Sequence, residues 1–157
     1  MSVAVPRDPR MLHVDDAGFV RAPEALVYRR LTDVERWPTW WPGTRVQPMP
    51  PAGQDERWIV SLRGAPGRRL RLKVRPHRWR HDLGFAMQLD GDLRGRAEFW
   101  LEPTVSGTIV HHVLAATTAL PRPPQVLADH RRAIRRGLWG LKDSLQLEVR
   151  TSAGLEP

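Results

Sequence analysis

The chain contains no cysteine. That removes disulfides, thiolate metal sites and a cysteine nucleophile from consideration, and leaves packing alone to hold the fold. Long apolar runs are also missing. No stretch approaches the roughly 18 residues needed to cross a bilayer as a helix. The segment from Met1 to Arg10 has charges and two prolines where a secretory signal would be apolar, so a cytoplasmic location is expected. Acidic residues are outnumbered, 17 against 25 Lys and Arg, for a formal charge of +8. The excess lies mainly in the arginines of Arg63–Arg80 and Arg131–Arg136. Such a charge attracts anions of any kind, but no face with interleaved aromatic and basic residues stands out, and nucleic acid is not the expected partner. Glycine-rich phosphate loops, a Ser-His-Asp order and paired inward carboxylates are absent as well, so no nucleotide cofactor is implied.

What is present suits one domain. At 157 residues and 41% hydrophobic content the chain can bury one core but hardly two. We expect a single domain over residues 1–157, with its core at about 11–150 and loose termini at 1–10 and 151–157.

Met11–Arg21 reads as a strand. Pro23 then suits a first helical turn, where its missing N–H is not needed. Val27 and Leu31 stand four apart with Tyr28 beside them, giving a short amphipathic helix. Trp37-Pro38-Thr39-Trp40-Trp41-Pro42-Gly43 allows at most about one more turn. From Thr44 to Leu120 the period changes to two. Trp58, Val60 and Leu62 form one inward set, and Leu70, Leu72 and Val74 another, opposite Arg69, Arg71, Lys73 and Arg75. Leu83, Phe85, Met87 and Leu89 form a third, Gly95, Ala97, Phe99 and Leu101 a fourth, and Thr108–Thr118 a last strand. Runs this short, separated by turn residues, describe an antiparallel meander. Beyond Pro121–Pro124 a helix of about 25 residues is expected, ending before Ser152 or Gly154. Leu127, His130, Ile134, Leu138, Leu141 and Leu145 share one side of it. The class is α+β, a curved sheet of six or seven strands with two short helices and one long C-terminal helix.

Several sequence words match a family in order and spacing. They are Ala22–Tyr28, Leu31-Thr32-Asp33, Trp37–Gly43, Gly91–Gly95 with Trp100 and Leu101, Gly107-Thr108, and His130 through Gly137, Leu138 and Leu141. Over about Phe19 to Leu145 the chain resembles the bacterial polyketide cyclase/dehydrase group of the START-like superfamily, also called the Bet v 1-like or helix-grip fold. The resemblance implies a long helix closing over the concave face of the sheet, with a cavity between them for a small apolar molecule such as a lipid or polyketide. Its walls would take His130, Ile134, Leu138 and Leu141 from the helix and Phe85, Met87 and Phe99 from the strands, with Trp37, Trp40 and Trp41 near the mouth and Tyr28 of the first helix as a further ligand-binding candidate. One activity is not implied. Binding without reaction is the first reading, an aromatase/cyclase or dehydratase the second, and an RNA- or ribosome-associated module the third.

Candidate polar groups carry alternatives. His130, on the apolar side of the helix, is either a ligand-facing imidazole or a packed one. His111 and His112 are adjacent on a strand, so only one faces inward, and they cannot together hold a metal. No metal site is expected, and the oligomeric state, monomer or homodimer, is left open. The three tryptophans form either a rim over the cavity or a plug under the short helix, and Tyr28 either packs or bonds a ligand. Arg96 and Glu98 fall on the solvent side, paired to neighbouring strands, unless the register slips by one. Gly137 and Gly140 each cost a helix about 1 kcal/mol, so close contact or ligand room must compensate.

Overall fold

The computed structural model describes residues 10–50 and 56–154. Of the expected loose termini, residues 1–9 and 155–157 lie outside these, and 151–154 belong to the last helix. Seven antiparallel strands form one sheet: β1 (Met11–Val20), β2 (Arg45–Pro48), β3 (Trp58–Arg63), β4 (Arg69–Arg80), β5 (Gly84–Gly91), β6 (Arg94–Pro103) and β7 (Thr108–Thr117). Their order across the sheet is β1-β7-β6-β5-β4-β3-β2. The meander from β2 to β7 is therefore sequential, and β1 closes it by pairing with β7 from Met11↔Thr117 to Val20↔Thr108. Helix α1 (Glu24–Thr32) and a 3₁₀ turn (Val34–Thr39) follow β1, and α2 (Pro123–Gly154) crosses the concave face.

Pro23 sits one place earlier than expected, as the extended residue before α1, where its carbonyl accepts from the N–H groups of Leu26 and Val27. Helix α2 has 32 residues and continues through Ser152 to Gly154. The period-two pattern is realised on β3 to β7, with Val60, Leu62, Leu70, Leu72, Val74, Phe85, Met87, Leu89, Ala97, Phe99 and Leu101 all buried. Leu83 departs from it. A register shift between His77 and Arg80 and a left-handed Asp82 (φ 59) turn the chain before β5 begins, and Leu83 is left 54% exposed in that turn. Bulges of this kind re-aim side chains.

The glycines inside α2 are compensated by close contact, made with the aromatic corner more than with the sheet. A Cβ on Gly137 would lie 2.5 Å from the Trp41 ring, and one on Gly140 would lie 1.9 Å from the Trp40 carbonyl oxygen. The helix can thus lie directly on the indoles. At the start of α2, Asp129 accepts from the Ala65 N–H (3.0 Å) and from Arg68 (2.9 and 3.0 Å). Arg68 first, then the Ala65 N–H, hold its carboxyl below the usual carboxylate range despite burial. This clamp ties α2 to the β3–β4 turn and fixes the azimuth of its neighbour His130.

Candidate ligand site between sheet and helix

Strand parity decides the histidines. On β7, Val110, His112 and Leu114 point into the core, while His111 points outward. His112 and His130 meet from opposite layers. Their rings stack with centroids 5.5 Å apart and planes 19° apart, and Phe99, the cross-strand partner of His112 on β6, packs tilted on it at 4.7 Å. Both histidines are 2% exposed. Neither nitrogen of His112 has a hydrogen-bond partner, nor does Nδ1 of His130. The Glu98 backbone near His112 favours its charged form without meeting hydrogen-bond geometry.

Burial pushes His112 down to about 3, helped by the adjacent His130, and pushes His130 down to about 4. Both are neutral imidazoles at pH 7. Each then has one donor and one acceptor nitrogen in an apolar interior, where an unmade hydrogen bond costs about 1–3 kcal/mol.

The two rings share a cavity of about 20 Å³ with Trp41, Met87, Phe99 and Ile134. That is room for about one water-sized group. Drug-sized ligands occupy roughly 300–1,000 Å³. The expected cavity therefore exists in position but not in size, because the tryptophans fill it. Trp37, Trp40 and Trp41 are 2%, 5% and 3% exposed, and they form the plug and not the rim. Trp37 donates to the Leu31 carbonyl and Trp41 to the Ala133 carbonyl, each at 2.9 Å, whereas the Trp40 indole N–H has no partner. Leu138 and Leu141 pack with Trp40 and Trp41 one turn beyond the cavity. Phe85 lies between Phe99 and Trp79, and Tyr28 is packed edge-on against His81, away from the histidine pair.

Outside the sheet, His111 stacks flat on Trp100 (3.8 Å, 9°) and bonds Glu102 through Nε2 at 2.9 Å. Arg96 and Glu98 do face outward, and pair at 2.5 Å along their own strand instead of across strands. Beside them lies a groove of about 620 Å³ lined by Arg78, Arg80, Leu83, Gly84, Arg96 and Trp100 among others. Sequence reading missed it because its aromatic and basic residues interleave across three strands instead of along one. The available signal was Gly84, which breaks the side-chain rhythm at the start of β5. Among the described residues no group of three His, Asp or Glu side chains could hold a metal, and no helix is long and apolar enough to cross a membrane.

No protein-family model matches the chain, and no curated protein matches its sequence. Solved structures do. An aromatase/cyclase, ZhuI, from Streptomyces sp. R1128 superposes with a TM-score of 0.73 at 16% identity, over 90% of this chain and 98% of its own. The di-domain aromatase/cyclase StfQ of the steffimycin biosynthetic pathway gives 0.71 at 15% identity over 90% of this chain, which spans 53% of that longer protein. A START superfamily protein from Mycobacterium smegmatis gives 0.68 at 17% identity, over 86% and 97%. Together with the seven-stranded sheet gripped by α2, these likenesses establish that the chain has the START-like, Bet v 1-like helix-grip fold that polyketide aromatase/cyclases share.

Proposed function

We propose that this protein binds a small, largely apolar molecule between the sheet and α2, and that the His112–His130 pair is the polar anchor of that site. The supporting observation is the pair itself. Two stacked, neutral imidazoles with unpartnered nitrogens are an expensive way to fill a core that leucine would fill as well. A ligand carbonyl or hydroxyl would satisfy them, and the surrounding side chains supply the apolar contact. Since the cavity is only about 20 Å³, admission of the ligand requires the Trp41–Ile134 wall to move outward from the sheet.

Binding is favoured over catalysis by the same pair. A general acid or base works best with a pKa near the operating pH, and values of about 3 and 4 leave both rings poor at carrying protons near neutrality. They remain good hydrogen-bonding groups.

The test is native mass spectrometry of the purified protein, followed by thermal-shift titration with fatty acids, sterols and aromatic polyketides. We expect a co-purified mass or a shift that His130→Leu and His112→Phe each abolish while remaining folded. No adduct and no shift with the wild type would sink the reading. Chemical conversion of a bound polyketide, lost in His130→Ala, would replace it with the enzymatic one.

A further inference from the structure

The register of the sheet sets out the groove on the outer face. Arg80 of β4 pairs with Gly84 of β5, Gly84 with Trp100 of β6, and Trp100 with His111 of β7. One cross-strand row therefore reads Arg80, Gly84, Trp100, His111, with a side chain missing at its second place. Gly84 has φ 150, and a Cβ there would meet the Phe99 carbonyl oxygen at 2.2 Å and the Trp100 Cα at 2.8 Å, so only glycine fits. The gap is thus fixed by the backbone. The next row continues the floor with Ala86, which is small and buried.

The gap has the dimensions of a stacking slot. Arg80 and Trp100 are two strand positions apart, or roughly 10 Å between their Cα atoms. A planar ring in van der Waals contact with a group on each side needs roughly 7 Å between those groups. Trp100 is already held for this. His111 covers one face of its indole and is itself tethered to Glu102, which leaves the other face toward Gly84, with the residue 43% exposed. The shift between His77 and Arg80 brings both Arg78 and Arg80 to the groove, while Trp79 between them stacks on Phe85 at 5.1 Å.

Charge selects the occupant. Of the groove's charged residues, Arg96 and Glu98 neutralise each other. Arg78 and Arg80 have no carboxylate within 4 Å among the described residues. Two unbalanced guanidiniums beside an open indole face recognise a planar anion, the guanidinium stacking on the ring or pairing with its carboxylate or phosphate. At about 620 Å³ the groove, unlike the interior cavity, is already of ligand size.

We propose that this groove is a second binding site, on the outer face of the sheet, for a small planar aromatic carboxylate or phosphate sandwiched between Trp100 and Arg80. The site stands independently of the interior reading. An extended nucleic-acid strand fits it less well, since the same face carries Glu102 and Asp15 toward β7 and β1.

The experiment is titration of the full chain with 2-naphthoate, followed by the indole N–H signals in two-dimensional NMR, with 2-naphthylmethanol as the neutral control. We expect 2-naphthoate to shift the Trp100 signal and to bind at least tenfold more tightly than the alcohol. Arg80→Gln and Trp100→Leu should each weaken it about tenfold or more, Trp100→Phe should retain most of it, and His130→Leu should leave it unchanged. Arg80 and Trp100 are exposed whereas His130 is buried, and the folding of each variant is confirmed from the same spectra. Three results would overturn the proposal: no binding at millimolar 2-naphthoate, equal affinity for the alcohol, or binding lost in His130→Leu but kept in Arg80→Gln. An eight-nucleotide oligouridylate binding far more tightly than uridine monophosphate, with affinity falling steeply in salt, would also overturn it in favour of a nucleic-acid surface. Equal binding of the two would keep the small anion and identify a nucleotide as one source of it.

Discussion

The inner and outer faces of this sheet are made by alternate residues of the same strands, yet they solve different problems. Inside, Phe99 and His112 meet α2 around a cavity of about 20 Å³; outside, their chain neighbours are Trp100, which borders a groove of about 620 Å³, and His111, stacked behind it. The inner histidine is stripped of partners and neutral, while the outer one is stacked on an indole and bonded to a carboxylate. The difference shows that local sequence sets only the parity of a side chain. Its chemistry comes from what the opposite layer supplies, a helix on one side and water on the other.

The contrast can be broken most forcefully from within. Trp41→Ala removes an indole that is 3% exposed and hydrogen-bonded to Ala133, and should cost about 3–5 kcal/mol in urea unfolding. It should also enlarge the inner cavity enough to admit benzene-sized molecules, detectable as a partial rescue of stability by added ligand.

Next in size is the effect of acid. His112 and His130 titrate below their unfolded value of about 6.5, so the unfolded chain takes up protons first as the pH falls. Their contribution is complete above about pH 6.5 and is lost as the pH drops toward 4 and 3. Between pH 7.5 and 5 the loss should be about 2 kcal/mol per histidine. His130→Leu should halve the slope, and a flat profile in the wild type would mean that the inner pair is not kept neutral by burial.

Outer changes should be milder. Trp100→Ala removes the exposed stack on His111 and should cost about 1 kcal/mol. Arg78→Gln, at an exposed side chain, should stay within about 0.5 kcal/mol by the same measurement. Should either outer substitution rival Trp41→Ala, the two faces are not energetically separate.

Much of the inner face was legible because period two and the i, i+3, i+4 stripe of α2 both report burial directly. His130 could be placed on that stripe from spacing alone. His112 could not be told from His111, since parity on β7 depends on where the strand enters the sheet. The filling of the cavity was hidden for another reason. Whether Trp37, Trp40 and Trp41 line a mouth or plug a core depends on how closely α2 approaches, and Gly137 and Gly140 signal close approach without naming the partner. Leu83 was misassigned because the shift between His77 and Arg80 has no period of its own. The groove required three strands in register, which no single window of sequence contains.

The pairing of β1 with β7 also bears on how the protein is made. Met11 finds Thr117, about 100 residues later, and Leu12 and Val14 reach their buried places only when that strand arrives. At roughly 5–20 residues per second of synthesis, the first strand waits on the order of 5–20 s for its partner. During that interval its apolar residues and unpaired backbone are open to other chains, so the ribosome-bound stage is when this sheet is most exposed to aggregation.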